Sequence, residues 1–175
     1  ELASATLSLS MMDGSEVPPG VSLVRGSGGD LDLSMDNALT NSFLHAISNS
    51  SNWLLIVESG FRLESPIILD VQTGEVASVA HVSLEIGEMA DFELVTRISG
   101  ESDWFGLLRT GNIGSGAILN DVLIGLQENG TFLRSDSIEI GRDAQVRAGT
   151  VSSGSERTKS DLRYRLEGRG GGIKV

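Results

Sequence analysis

The sequence predicts a mostly β chain, an antiparallel β-sandwich or jelly-roll carrying one short amphipathic helix at about 36–48. Three observations predict it. Apolar and polar residues alternate with period two over many short runs, which is the pattern of a half-buried strand. The 22 glycines and the three prolines punctuate those runs at short intervals. The alternation of strands with long helical segments that a parallel α/β sheet requires is missing. No repeat of fixed period stands out, which argues against a solenoid or propeller. The 175 residues fit one domain, read as 1–167, followed by a flexible glycine-rich tail at 168–175.

The first run is a comb. Ala5, Leu7, Leu9 and Met11 alternate with Thr6, Ser8 and Ser10, and Pro18-Pro19 cuts them off from the rest of the chain. Residues 1–12 therefore read as an exchangeable N-terminal strand that pairs in its own sheet or completes the sheet of a neighbour, since main-chain hydrogen bonds do not depend on which chain supplies them. Val21 to Arg25 is a second strand. Leu39, Phe43, Leu44 and Ile47 recur at three- and four-residue spacing, with Asp36 or Asn37 placed to cap, and define the helix. Further strands are expected over 53–58, 65–71, 75–86, 92–99, 103–109, 117–127, 131–134, 137–140, 144–151 and 161–167. Glu128-Asn129-Gly130 reads as a hairpin turn, and the serine-rich residues 151–160 read as a loop.

Composition narrows the function classes. The 24 acids against 13 bases give a net charge of −11, which disfavours binding to phosphate backbones through a basic face, so no nucleic-acid partner is expected. No apolar run is long enough for a membrane-spanning helix. Absence of cysteine excludes disulfides, thiolate catalysis and iron–sulfur ligation. The first residue is Glu1, which fits a matured product or a fragment equally well.

Few motifs point to chemistry. His45 and His81 lie near neither a nucleophile elbow nor a metal-ligand pair. The acids Glu85 with Glu88, Asp91 with Glu93 and Glu101 with Asp103 are candidates for a glycoside-hydrolase pair, a reaction that needs two carboxylates across a sugar bond. Asp30, Asp32 and Asp36 have the two- and four-residue spacing of a calcium ligand set; a solvated strand face ending in a helix cap is the favoured alternative. Gly111 to Gly116 lacks the lysine of a phosphate loop and reads as a loop. Arg163, Arg165 and Arg169 form a basic cluster, and Asn49-Ser50-Ser51 and Asn129-Gly130-Thr131 fit the glycosylation acceptor rule.

With reactive residues scarce and turn residues abundant, the expected function is non-enzymatic: a structural subunit that assembles with copies of itself in a virion or an extracellular filament, with Ala5, Leu7, Leu9 and Met11 as the assembly contact. The first alternative is a glycan-binding or adhesin module in which Trp53 and Trp104, with Phe61 and Phe105, stack on sugar rings. The second is a hydrolase on a β scaffold. No cofactor is expected beyond the calcium candidate.

Overall fold

The computed structural model describes residues 3–26 and 51–175. The described strands are β1 (Ala3–Ser4), β2 (Thr6–Met11), β3 (Val21–Arg25), β4 (Asn52–Val57), β5 (Ile67–Gln72), β6 (Ser78–Ile86), β7 (Asp91–Gly100), β8 (Trp104–Ile113), β9 (Ile118–Gln127), β10 (Thr131–Ile140), β11 (Gln145–Ser152), β12 (Arg157–Leu166) and β13 (Gly172–Lys174). Among the described residues there is no helix. The expected helix at 36–48 lies outside them.

The architecture is a parallel β-solenoid of about five turns, not an antiparallel sandwich or jelly-roll. Each turn lays one strand in each of two sheets. Sheet A runs β12-β10-β8-β6-β4-β3 and sheet B runs β13-β11-β9-β7-β5-β2. From β4 onward consecutive strands do not pair: β4, β6, β8, β10 and β12 stack in parallel on one side, and β5, β7, β9, β11 and β13 stack in parallel on the other. The sequence pattern misled because alternation reports which face of a strand is buried, and says nothing about whether the neighbouring strand runs the same way.

A fixed period underlies the fold. Ser78, Phe105 and Phe132 are register partners at intervals of 27 residues, and so are Asp91, Ile118 and Gln145. The corners carry its signature: Ile86-Gly87-Glu88-Met89-Ala90, Ile113-Gly114-Ser115-Gly116-Ala117 and Ile140-Gly141-Arg142-Asp143-Ala144. In each, the alanine N–H donates to the glycine carbonyl, at 3.4, 3.2 and 3.2 Å, and closes a tight turn. The third turn residue is left-handed, with φ of 58° at Met89, 68° at Gly116 and 58° at Asp143. The first glycine is required by the stacking of corners. A Cβ on Gly114 would lie 2.6 Å from the backbone nitrogen of Glu88 in the corner before it, while the Gly114 N–H donates to the Ile86 carbonyl at 2.8 Å.

Three further expectations change. Asn129-Gly130 is a corner between the sheets and not a hairpin, because β9 pairs with β7 and β11 and β10 pairs with β8 and β12. The loop at Gly111 to Gly116 contracts to the corner alone, since β8 runs through Ile113. The glycine-rich end also enters the coil, with Gly172–Lys174 paired in parallel to Gln145–Arg147.

The two layers close on an apolar interior. Sheet A contributes Leu55, Val57, Val82, Leu84, Phe105, Leu107, Phe132 and Ile138, and sheet B contributes Ile67, Leu69, Leu94, Ile98, Leu119 and Leu123. Register stacks like on like: the rings of Phe105 and Phe132 lie 5.9 Å apart and 7° from parallel. At the N-terminal end the coil is capped by antiparallel strands. β2 lies against β5 and β3 against β4, and β1 fills the start of the β6 edge beside Ser78 and Val79, before β4 takes over at His81.

The corner geometry predicts opposite outcomes for two substitutions. Met89→Gly removes the left-handed penalty of a side chain with a Cβ and is expected to leave stability unchanged or raise it by up to about 1 kcal/mol. Gly114→Ala drives a Cβ into the Glu88 backbone and is expected to cost more than about 1 kcal/mol. Urea unfolding of the two variants beside the parent measures both.

Candidate functional site

Among the described residues buried charged side chains gather inside the C-terminal half of the coil, and bases at its last strands. The interior cluster begins with Arg109, which occupies an inward position of β8 where the preceding turn has Val82. Its register partner on β10 is Asp136, and Arg134 lies two residues earlier on the same face. Asp121 reaches in from β9 in the opposite sheet. Arg109 and Asp136 are fully buried, Arg134 and Asp121 nearly so.

The geometry satisfies every member. Arg109 donates to both Asp121 carboxylate oxygens at 2.8 and 2.7 Å, and to Asp136 at 3.1 and 2.5 Å. Arg134 donates to the same Asp136 oxygens at 3.1 and 2.6 Å and to the Thr150 hydroxyl at 2.5 Å. The Tyr164 hydroxyl donates to Asp136 at 3.3 Å. Two guanidinium groups and two carboxylates cancel in charge, which is the condition under which burial is tolerated. Burial by itself would push the Asp136 carboxyl up; the Arg109 charge and hydrogen bonds, joined by Arg134, outweigh it and hold the group below its ordinary 3.8. Tyr164 is pushed up to about 12, first by burial and then by the Asp136 charge.

This cluster ties five strands together. Arg109 spans the two sheets, Asp136 joins β8 to β10, and Thr150 and Tyr164 carry the network into β11 and β12. It offers no acid–base chemistry: Asp136 is held ionised and spends both oxygens on guanidinium donors. A strand break expected at Ser135-Asp136 conceals it in the sequence, where β10 in fact runs unbroken from Thr131 to Ile140. The signal that reveals it is the inward phase of the alternation, which falls on Arg134 and Asp136.

The remaining candidates disperse. Ala5, Leu7 and Met11 are buried and Leu9 is half-buried against the chain's own core. Trp53 packs on that core beneath the Arg25 guanidinium, whose central carbon is 5.5 Å from the ring centroid. Trp104 starts β8 on the outer face, next to inward Phe105, which is fully buried, so the aromatic residues form no common platform. His81 lies on the outer face of sheet A, with Nδ1 at 2.8 Å from the Asn52 amide oxygen and Nε2 at 2.8 Å from the Thr110 hydroxyl. Glu85, Asp91 and Glu93 sit on outer faces, and Glu88, Glu101 and Asp103 on corners. Asp30, Asp32, Asp36 and His45 lie outside the described residues, among which no group of three acids or histidines is placed to hold a metal. No described helix is long and apolar enough to cross a membrane.

The surface carries a groove and a basic end. The shallow groove, of about 390 Å³, crosses the outer face of sheet B beside Thr6, Ser8, Gln72 and Ser99. Its floor holds Asp70 and Arg97, paired at 2.6 and 2.9 Å. Toward the C-terminal end β12 is the last described strand of sheet A, and Thr150, Ser152, Thr158, Ser160 and Leu166, all in the inward phase of their strands, are exposed. Residues 157–175 carry six of the 13 bases and two of the 24 acids, so this end is basic on an otherwise acidic chain. No protein family, curated protein or solved structure matches the chain.

The buried cluster makes stability depend on pH at both extremes. Asp136 binds its proton less readily folded than unfolded, so its contribution is complete well above 3.8 and is withdrawn as pH falls through and below that value. Tyr164 holds its proton more tightly when folded, so stability is withdrawn as pH rises from 10 toward 12. Asp136→Asn leaves two guanidinium charges facing the single carboxylate of Asp121 and is expected to cost about 3–5 kcal/mol at neutral pH, a difference that narrows as pH falls below 3.8. Thermal melts across pH 3 to 8 check the convergence of variant and parent.

Proposed function

We propose that the chain is a structural subunit that stacks head to tail with copies of itself, the basic C-terminal end of one coil seating on the N-terminal cap of the next. The single observation that carries the reading is the contrast between the two ends. The N-terminal end is closed by antiparallel β2 and β3, while the C-terminal end presents a ten-residue terminal strand above exposed inward-phase residues. A terminal strand of that length is a template for further pairing. Charge selects the occupant. The C-terminal end concentrates the bases, and the cap region carries Asp13, Glu16, Glu58 and Glu64 against Arg25 and Arg62. Opposite ends attract, whereas two C-terminal ends repel. Contacts between unlike surfaces do not close on a pair, and coils stacked end to end along their axis extend into an open filament.

The buried ionic cluster supports the same reading. It lies in the turns next to the C-terminal end and reaches the last two strands through Thr150 and Tyr164, so the docking end is held in one conformation before association. Rigid presentation lowers the ordering cost of binding.

Native mass as a function of protein concentration tests it. The parent is expected to grow in mass with concentration and to shrink when salt is raised from about 20 mM to about 500 mM, as screening requires. Ser160→Lys with Leu166→Lys places two inward-pointing charges on the docking end and is expected to abolish the open-ended growth. A parent that stays monomeric, or a double variant that grows like the parent, overturns the reading.

A further inference from the structure

The outer face of sheet B holds an aliphatic strip that the coil itself does not use. On β9 the inward positions are Leu119, Asp121, Leu123, Gly125 and Gln127, and of the outward positions Ile118, Asn120, Val122, Ile124 and Leu126 all but Asn120 are aliphatic. Ile118 is 45% and Leu126 48% exposed. Val151, the register partner of Ile124 on β11, is 58% exposed. Val122, Ile124, Leu126 and Val151, on two adjacent strands, form a contiguous patch of the kind that marks an interaction site, with Ile118 set apart by Asn120.

We propose that this face is a lateral contact on which a second copy packs, related by a two-fold axis parallel to β9. Sheet faces stack about 10 Å apart with strands nearly aligned, so an in-register aliphatic face is matched by another of its kind. The axis direction comes from charge. Glu93 on β7 and Arg147 on β11 flank Asn120 at the same level along the strands, and neither has an ion-pair partner among the described residues. A two-fold parallel to β9 lays β9 on its own copy and β7 on the partner's β11. Glu93 then faces Arg147 of the partner subunit, and Arg147 faces Glu93 of the partner subunit. A two-fold perpendicular to β9 instead sets Glu93 against Arg97, which Asp70 already holds.

This contact is separate from head-to-tail stacking and does not require it. Two-fold pairing alone ends at a dimer; combined with stacking it joins two filaments side by side.

Sedimentation velocity on the full chain separates the two contacts. Leu126→Asp is expected to weaken lateral pairing by at least about tenfold and leave end-to-end growth intact. The end variant, Ser160→Lys with Leu166→Lys, is expected to stop at a dimer. Both sets together give a monomer. Charge reversal fixes the axis: Glu93→Arg and Arg147→Glu each weaken the dimer of the end variant by about tenfold, and the two together restore it. A monomeric end variant, or a dimer that ignores Leu126→Asp, overturns the lateral contact. Failure of the charge pair to restore the dimer overturns its axis. None of these outcomes bears on the stacking, which is read from the growth of Leu126→Asp alone.

Discussion

Every part of this molecule depends on one constraint: the chain must return to the same point after each turn, so that each inward residue sits on its equivalent one turn before. The corners enforce it. A glycine allows adjacent corners to touch, a left-handed residue reverses the chain, and an alanine fills the inside of the bend without clashing. Ala90, Ala117 and Ala144 are fully buried for that reason. With the return distance fixed, the sheets align without any contact between sequence neighbours, and the strands acquire long, even ladders of parallel hydrogen bonds.

The same constraint explains the buried charges. In an apolar coil, rows of similar aliphatic side chains define position along the strand weakly, because one leucine or isoleucine packs much like another. A cluster in which Arg109 meets both Asp121 and Asp136 has one solution. If β10 slips by two residues, the row keeps its inward phase but Asp136 leaves its guanidinium partner. Such clusters cost desolvation energy, and what they give in return is a unique register.

Much of the local structure was legible in the sequence, and the topology was not. Among the described residues each alternating run, from Thr6–Met11 to the end of β12, is a strand because period two with turn residues between is a local signal. Parallel pairing is a property of residues 27 apart, and the corner pattern that reports it is short: an isoleucine, a glycine and an alanine repeated at 86–90, 113–117 and 140–144. Glu88-Met89, Ser115-Gly116 and Arg142-Asp143 share no chemistry, only a backbone angle, so the repeat hides from a reading by residue type. The interior cluster was concealed by the opposite error, a charged residue taken for the end of a strand. Trp53 and Trp104 drew attention as aromatic residues, yet their register on different faces could not be known before the coil was.

The corners also govern how such a molecule changes in size. The step from β4 to β6 is 29 residues and the step from β10 to β12 is 26, against 27 elsewhere. The surplus and the deficit fall outside the paired strands, where extra backbone bulges into solvent. A single residue gained inside β8 or β9 would turn every later side chain of that strand inside out. Lineages of this architecture are therefore expected to diverge by ragged loops and by whole-coil gains or losses, each lengthening or shortening the rod by one strand spacing of about 4.8 Å.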